Sequence, residues 1–174
     1  WAPVALDGKW LRLSDKDPYD YAKVERMIPA TKELTVEFDV QAAQNGHGEL
    51  DVEFVDAKGQ ACSRIVLDSL GVMKVKGGPR FGTMLKNYKA GETYRVKAVL
   101  STDMHAGTYY INDKKVCQRQ FDTPVEAITR VVFRTGPLFA EPNKETPADQ
   151  YFDMPRADES DPMATFSIAN VKTY

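Results

Sequence analysis

The stretch LTVEFDVQA at residues 34–42 decides the fold, because its apolar and polar residues alternate with a period of two. Its apolar members are Leu34, Val36, Phe38, Val40 and Ala42, and a polar residue stands between each pair. Successive side chains of a β-strand point to opposite faces. The pattern therefore predicts a strand with one buried face and one solvated face.

The same alternation recurs along the rest of the chain. Leu50, Val52 and Phe54 form the next apolar series, and turn residues at 58–59 lead into a second run at 63–68, which predicts a hairpin. No amphipathic helix competes with these strands. Many short strands joined by Gly, Asn, Asp and Pro turns predict an all-β antiparallel sandwich. Further strands are predicted at 9–13, 22–28, 71–76, 93–100, 108–111, 115–121, 128–135 and 165–174, with a tight turn at Asn112-Asp113.

Length and charge restrict the function classes. A chain of 174 residues fits a single domain spanning 1–174. The net charge of −2 argues against a nucleic-acid partner, which needs clustered Lys and Arg. No apolar run approaches the roughly 20 residues of a membrane span. Because the chain starts at Trp1, we expect it to be processed or cut from a longer multidomain protein.

The sequence offers little metal or redox chemistry. Cys62 and Cys117 can form one bridge or remain free thiols, and their positions inside predicted strands favour free thiols. His47 and His105 lie in separate turns without a second ligand at metal spacing. The irregular segment 137–162 carries seven acids, but their spacing does not match a calcium loop. We therefore predict no cofactor, with calcium left open, and interpret this segment as a solvated loop or a ligand-contacting flap.

Three carboxylates stand at alternate positions in the stretch ELDVEF, residues 49–54. Glu49, Asp51 and Glu53 share one face of the predicted strand. Their spacing resembles the Glu-x-Asp-x-Glu signature of retaining β-glucanases and transglycosylases with a jelly-roll fold. That resemblance implies a nucleophile at Glu49, an acid/base at Glu53 and a tuning role for Asp51.

An ion pair explains the same residues without catalysis. A hairpin turning at 58–59 places Glu53 opposite Arg64, a cross-strand pair worth about 0.2–1 kcal/mol. A bulged turn with shifted register would instead direct Arg64 into the core. Retaining hydrolysis also needs carboxyl groups about 5–5.5 Å apart, whereas Cα atoms four residues apart on a strand are separated by about 13 Å. We therefore favour the ion pair and keep catalysis as the alternative.

Aromatic and arginine side chains provide the candidates for sugar contact. Aromatic rings can stack on sugar rings, and a guanidinium can hold the carboxylate of a uronic acid. The candidate carbohydrate-binding residues are Tyr88, Tyr109, Tyr110, Arg80 and Arg134.

The strand order resembles the concanavalin A-like lectin/glucanase superfamily over nearly the whole chain. The resemblance rests on the strand 94–100, the hairpin 109–113 and the closing stretch FSIANVKTY at 166–174. It implies a jelly-roll β-sandwich.

The opening stretch WAPV at 1–4, together with DPYDYA at 17–22 and Glu25-Arg26, is similar to sandwich modules appended to sialidase-like propeller proteins and polysaccharide lyases. That similarity implies a secreted or periplasmic, glycan-degrading setting in which a neighbouring domain performs the chemistry.

Three functional hypotheses follow. The first is a non-catalytic accessory module that binds a glycan, and the second is a purely structural domain that packs on a catalytic neighbour. The third is a retaining glycoside hydrolase that uses Glu49 and Glu53. The expected partners are accordingly a glycan or a neighbouring catalytic domain.

Overall fold

The computed structural model describes residues 4–16, 21–76, 82–121, 123–136 and 162–174. These residues form thirteen β-strands and no helix. The strands are β1 Val4–Asp7, β2 Trp10–Asp15, β3 Lys23–Thr31, β4 Glu33–Ala42, β5 Leu50–Val55, β6 Ala61–Leu67, β7 Val72–Lys76, β8 Thr83–Asn87, β9 Thr93–Ser101, β10 Ala106–Ile111, β11 Lys114–Gln120, β12 Ile128–Thr135 and β13 Ala164–Thr173.

The strands form two antiparallel sheets packed face to face. The seven-stranded sheet has the order β1-β2-β13-β4-β9-β10-β11, and the six-stranded sheet has the order β3-β12-β5-β6-β7-β8. The alternating apolar residues of β4 are all buried, as the pattern predicted. Phe38 of one sheet meets Phe133 of the other edge to face, with ring centroids 5.3 Å apart. The predicted all-β antiparallel sandwich is confirmed.

The predicted hairpin around residues 58–59 forms in the expected register. Val52 lies opposite Ile65, and Glu53 lies opposite Arg64. A bulge does occur, but it falls between Phe54 and Val55, nearer the turn than this pairing. Arg64 therefore stays on the face opposite the core, as the ion-pair interpretation requires.

Two strands were absent from the sequence prediction. All four residues of β1 are exposed, and β8 has four exposed residues and one half-buried residue. Both lie at sheet edges. An edge strand with little burial carries no apolar alternation, so periodicity cannot detect it.

Both cysteines are free thiols in the structure. Burial raises the pKa of Cys62 to about 12 and also raises the pKa of Cys117. Neither thiol is therefore activated as a nucleophile. Residues 137–161 lie outside the described part of the chain, so the structure does not test whether segment 137–162 is a solvated loop or a ligand-contacting flap.

Candidate glycan-binding site

The six-stranded sheet carries a cluster of charged side chains on the side that points away from the core, which we call the charged face. Leu50, Val52 and Phe54 of β5 enter the core, so the residues between them point the other way. Strand pairing brings Arg134 opposite Asp51. The charged face comprises Lys23, Glu25, Glu49, Asp51, Glu53, Arg64, Lys74, Lys76, Arg130 and Arg134.

The charged face is largely buried, which corrects the expectation of a solvated strand surface. The Asp51 side chain is 2% exposed and the Arg134 side chain is 9% exposed. Val66 of β6, which lies opposite Asp51 on one side and Lys74 on the other, is fully buried. Strand alternation indicates only that these residues avoid the core, and it carries no information about burial on the opposite side.

Arginine–carboxylate pairs hold the charged face together, but at long distances. Arg134 lies 3.4 Å from Asp51 Oδ2 and 4.0 Å from Glu53 Oε1. Arg64 Nε lies 3.7 Å from the same Glu53 oxygen. A close charged hydrogen bond measures about 2.7–2.9 Å. These pairs are therefore ion pairs with incomplete hydrogen bonding.

Three guanidinium groups on this face each keep a buried donor without an acceptor. The Nε atoms of Arg64, Arg130 and Arg134 are buried and make no hydrogen bond. A buried donor without a partner costs about 1–3 kcal/mol, and most buried polar groups in proteins have one. The charged face thus has fewer acceptor oxygens than donors.

The two carboxyl groups nearest the end of the sheet are hard to ionise. Burial raises the pKa of Asp51 to about 7, an effect that the charge of Glu49 reinforces and that Arg134 and Arg64 oppose. Burial also raises the pKa of Glu49, and Lys76 opposes this shift. Because two neighbouring carboxylates repel each other when both are ionised, this pair favours retention of a proton.

A cleft opens at the end of the sandwich next to Glu49, and we call it the end cleft. Its volume is about 320 Å³. It lies where β2 and β12 end and where β5 and β13 begin. Glu49 belongs to both the cleft and the charged face. The lining residues are Asp15, Lys16, Gly46, His47, Gly48, Glu49, Ser69, Thr135, Gly136, Pro162 and Ala164.

Tyr88 supports two walls of the end cleft. Its hydroxyl donates to the carbonyl of Asp68, 2.7 Å away, at the start of the turn that carries Ser69. Its own carbonyl accepts from Asn45 Nδ2 at 3.1 Å, beside the loop that carries His47. The buried Tyr88 side chain therefore connects the two loops and leaves little ring surface for stacking on a sugar.

Gly48, in the loop at residues 46–49 that lines the end cleft, lies against Ala164 of β13, and this close approach requires glycine. Its φ angle is +74°, and a Cβ atom there would lie 2.2 Å from the Cβ of Ala164. Only glycine fits both the left-handed backbone and the close approach.

The other predicted sugar contacts lie in different parts of the molecule. Tyr109 has no exposed surface and its hydroxyl bonds Ser63 inside the core at 2.7 Å, so its ring cannot reach a sugar. Tyr110 lies half-buried on the outer face of the seven-stranded sheet, under the ammonium of Lys97. Arg80 lies outside the described residues. Of the five candidates, Arg134 alone is placed by the structure on the charged face.

Sequence reasoning missed the aromatic ring at this site. Tyr21 is 44% exposed, and the guanidinium of Arg134 lies 5.3 Å from its ring centroid. Hydrogen bonds between Ala22 and Thr135 hold the adjoining backbone against the end of β12. Tyr21 precedes a strand and belongs to no periodic pattern, so alternation gives no reason to single it out as a ligand contact.

The fold and site together define a β-sandwich module, and comparison with known proteins identifies its family. Residues 1–150 match the family described as sialidase-like, CBM domain, where CBM denotes carbohydrate-binding module. The chain belongs to this family. No curated protein matches it.

Solved structures agree with this assignment. A sialidase shares 51% identity with a TM-score of 0.87, and the alignment covers 100% of this chain but 16% of the sialidase. The carbohydrate-binding module CBM66 from Bacillus subtilis (13% identity, TM-score 0.60) covers 99% of this chain and 91% of its own. The alginate lyase AlgAT5 of polysaccharide lyase family 7 (13% identity, TM-score 0.62) covers 100% and 82%.

These findings confirm the predicted jelly-roll sandwich and the predicted class, an accessory carbohydrate-binding module. The two matches at 13% identity bear on the fold alone. Among the described residues, no helix could span a membrane, and no group of three or more His, Cys, Asp or Glu side chains could hold a metal ion. The absence of a cofactor stays a prediction.

Proposed function

We propose that this module binds a glycan on its charged face. The observation that carries the proposal is the group of three neighbouring arginines, Arg64, Arg130 and Arg134, whose side chains keep 16%, 24% and 9% of their surface exposed. A ligand that supplies oxygen atoms would accept hydrogen bonds from the exposed nitrogen atoms of these guanidinium groups. Glycans offer many such oxygens.

The arrangement of the arginines favours a sugar that carries a carboxylate. A single oxygen of Glu53 lies within 4.0 Å of both Arg64 and Arg134, so a carboxylate on the sugar would compete with Glu53 for both guanidinium groups. Planar guanidinium forks bind carboxylates in a bidentate manner. Tyr21, exposed beside Arg134, offers a ring on which the sugar can stack.

The proposal extends to the longer protein in which we expect this module to occur. The chain spans 16% of the length of the similar sialidase. We infer that this single sandwich domain is one part of a longer, secreted or periplasmic glycan-degrading protein. Its role there is to hold the substrate near a catalytic neighbour.

Isothermal titration calorimetry tests the binding proposal. The acidic probes are trigalacturonic acid and 3′-sialyllactose, each compared with its methyl ester, and the neutral probes are β-glucan and arabinogalactan oligosaccharides. We expect an acidic probe to bind, and its ester to bind at least tenfold more weakly. Absence of binding across the whole panel would leave only a structural role.

Two arginine variants locate the interaction. We expect Arg64→Ala to weaken binding about tenfold to hundredfold, because hydrogen bonds to charged groups contribute about 1.5–3 kcal/mol. Arg95→Ala, on the outer face of the seven-stranded sheet, is the matched control and should bind like the unmodified chain. Equal losses in both variants would contradict binding on the charged face.

Hydrolysis by Glu49 and Glu53 has weaker support. A nucleophile must be ionised, whereas burial raises the pKa of Glu49. Glu53 is paired with Arg64 and Arg134. A hydrolysis assay on β-linked glucans separates this hypothesis from binding alone. If the chain hydrolyses such a glucan and Glu49→Gln abolishes the activity while the protein stays folded, the catalytic hypothesis is restored.

A further inference from the structure

The end cleft adjoins the charged face through a single residue. Glu49 lines the cleft and stands two positions before Asp51, so their Cα atoms are separated by about 6.6 Å along the chain. The backbone NH of Gly136, another lining residue, donates to the Glu49 carbonyl at 3.0 Å. A ligand held by Arg134, which lies opposite Asp51, is therefore two residues away from Glu49 at the mouth of the cleft.

The chemistry of the cleft wall differs from that of the charged face. Its side chains include hydroxyl, imidazole, ammonium and carboxyl groups together with the apolar Pro162 and Ala164, and glycines expose backbone at three positions. The volume of about 320 Å³ lies at the lower end of the range for small-molecule sites, about 300–1,000 Å³. Its lining residues in the described part of the chain include no arginine. This wall suits the hydroxyl groups of a sugar better than a second carboxylate.

A further unpaired donor lies behind the cleft. Gln44 Nε2 is buried without an acceptor, and it lies 3.5 Å from the position that a Cβ atom on Gly48 would occupy. The side-chain amide oxygen of Gln44, Oε1, already accepts a hydrogen bond from the backbone NH of Thr165 at 2.8 Å. The amide is therefore fixed in orientation, with its donor near a residue that lines the cleft.

We propose that the end cleft is a second subsite, which holds the hydroxyl groups of the sugar unit next to the one bound on the charged face. This inference rests on the proposed function, because the first unit must be held by Arg64 and Arg134. Lys16, His47 and Ser69 supply the polar contacts, and Glu49 lies at the boundary between the two units. The carboxyl oxygens of Glu49 can accept hydrogen bonds from sugar hydroxyl groups at this boundary.

A bulky residue at the cleft wall tests the second subsite. Ser69 lines the cleft, whereas its neighbour Leu70 belongs to the same turn, does not line the cleft and is 80% exposed. Ser69→Trp should fill the cleft, and Leu70→Trp is the matched control. The probes are 3′-sialyllactose against N-acetylneuraminic acid, and trigalacturonic acid against galacturonic acid, all titrated by calorimetry.

In the unmodified chain we expect a trisaccharide to bind at least tenfold more tightly than its acidic monosaccharide. Ser69→Trp should lower trisaccharide affinity to that of the monosaccharide and leave monosaccharide binding unchanged, whereas Leu70→Trp should preserve the difference. Lys16→Ala, which removes one contact without filling the cleft, should weaken the trisaccharide alone by severalfold.

Other outcomes overturn the inference in distinguishable ways. Equal affinity for mono- and trisaccharide in the unmodified chain, or a difference that survives Ser69→Trp in a folded protein, would remove the second subsite and leave the charged face as the binding site. Absence of binding by every acidic probe would remove the second subsite together with the acidic-sugar proposal on which it rests.

Discussion

The two outer faces of the sandwich use the same kinds of charged residue in opposite ways. On the seven-stranded sheet, Arg95 pairs with Asp39 at 3.7 Å and Lys97 pairs with Glu37 at 3.3 Å. Arg95 is 59% exposed, whereas Arg134 on the charged face is 9% exposed. Exposed cross-strand pairs stabilise a sheet slightly and remain hydrated. Buried pairs lose hydration and must recover it through hydrogen bonds.

The two faces differ in how well their arginines are hydrated and hydrogen-bonded. Among the described residues, the buried arginine donors without acceptors are those of Arg64, Arg130 and Arg134, and all three lie on the six-stranded sheet. Water can satisfy the exposed pairs of the seven-stranded sheet. We therefore expect the two faces to respond differently to substitution, to pH and to ligand.

The largest expected effect is that of Arg134→Ala. Removal of one partner from a buried ion pair costs about 3–5 kcal/mol, because the remaining charge has no compensation. We expect this loss in the free energy of unfolding at pH 8, measured with urea. At pH 5 the loss should be smaller, since Asp51, with a pKa of about 7, can take up a proton. A loss that is equal at both pH values would contradict the buried pair.

Asp51→Asn should change how stability depends on pH. In the unfolded chain Asp51 releases its proton near pH 3.8, whereas in the folded protein it does so near 7. Between these values the folded state holds the extra proton, so this group lowers stability by up to about 1.4 kcal/mol per pH unit as pH rises. Urea unfolding from pH 4 to 8 should show a flatter profile for Asp51→Asn. An unchanged profile would mean that Asp51 is ionised throughout.

Tyr88→Phe should have an intermediate effect. The change removes the hydroxyl that bonds the Asp68 carbonyl and keeps the buried ring, so we expect a loss of about 1 kcal/mol. If Tyr88 supports the end cleft, trisaccharide affinity should also fall while monosaccharide affinity stays constant. Loss of both affinities together would indicate a wider disturbance of the site.

The smallest expected effect is that of Arg95→Ala on the seven-stranded sheet. Exposed ion pairs contribute about 0.2–1 kcal/mol, and salt screens them. The free energy of unfolding should therefore change by less than about 1 kcal/mol, and by less still in 1 M NaCl. A loss comparable to that of Arg134→Ala would remove the contrast between the faces.

The sequence predicted the fold better than it predicted the site. Alternation identified most strands, and the facing of Glu53 and Arg64 followed from the hairpin turn. Alternation assigns a residue to one side of a strand but says nothing about what lies on that side. It therefore could not predict that Asp51 is buried or that Tyr109 belongs to the core.

The site also depends on contacts between distant segments. Tyr21 meets Arg134 only because the chain before β3 lies against the end of β12. Similarly, the sequence offers Tyr88 as a candidate aromatic contact, but the hydrogen bonds by which it connects the two cleft loops depend on Asn45 and Asp68, which are distant in sequence. Such pairings carry no local sequence signal.

A pair of tyrosines provides a direct comparison of the two faces. Tyr21 lies beside Arg134 next to the six-stranded sheet, and Tyr110 lies beside Lys97 on the seven-stranded sheet. If glycan binds the charged face, Tyr21→Ala should weaken it about threefold to tenfold, the range expected for an aromatic contact of about 0.5–1.5 kcal/mol. Tyr110→Ala should then leave the affinity unchanged. The reverse result would assign the glycan to the seven-stranded sheet.

Nuclear magnetic resonance tests the central claim most directly. The measurement is the set of backbone amide shifts of the isotopically labelled chain during titration with the tightest-binding acidic oligosaccharide. Binding on the charged face predicts that the shifted amides cluster in β5, β6 and β12 and in the loop at residues 45–49. Shifts concentrated in β4, β9 and β10, around Tyr110, would contradict it.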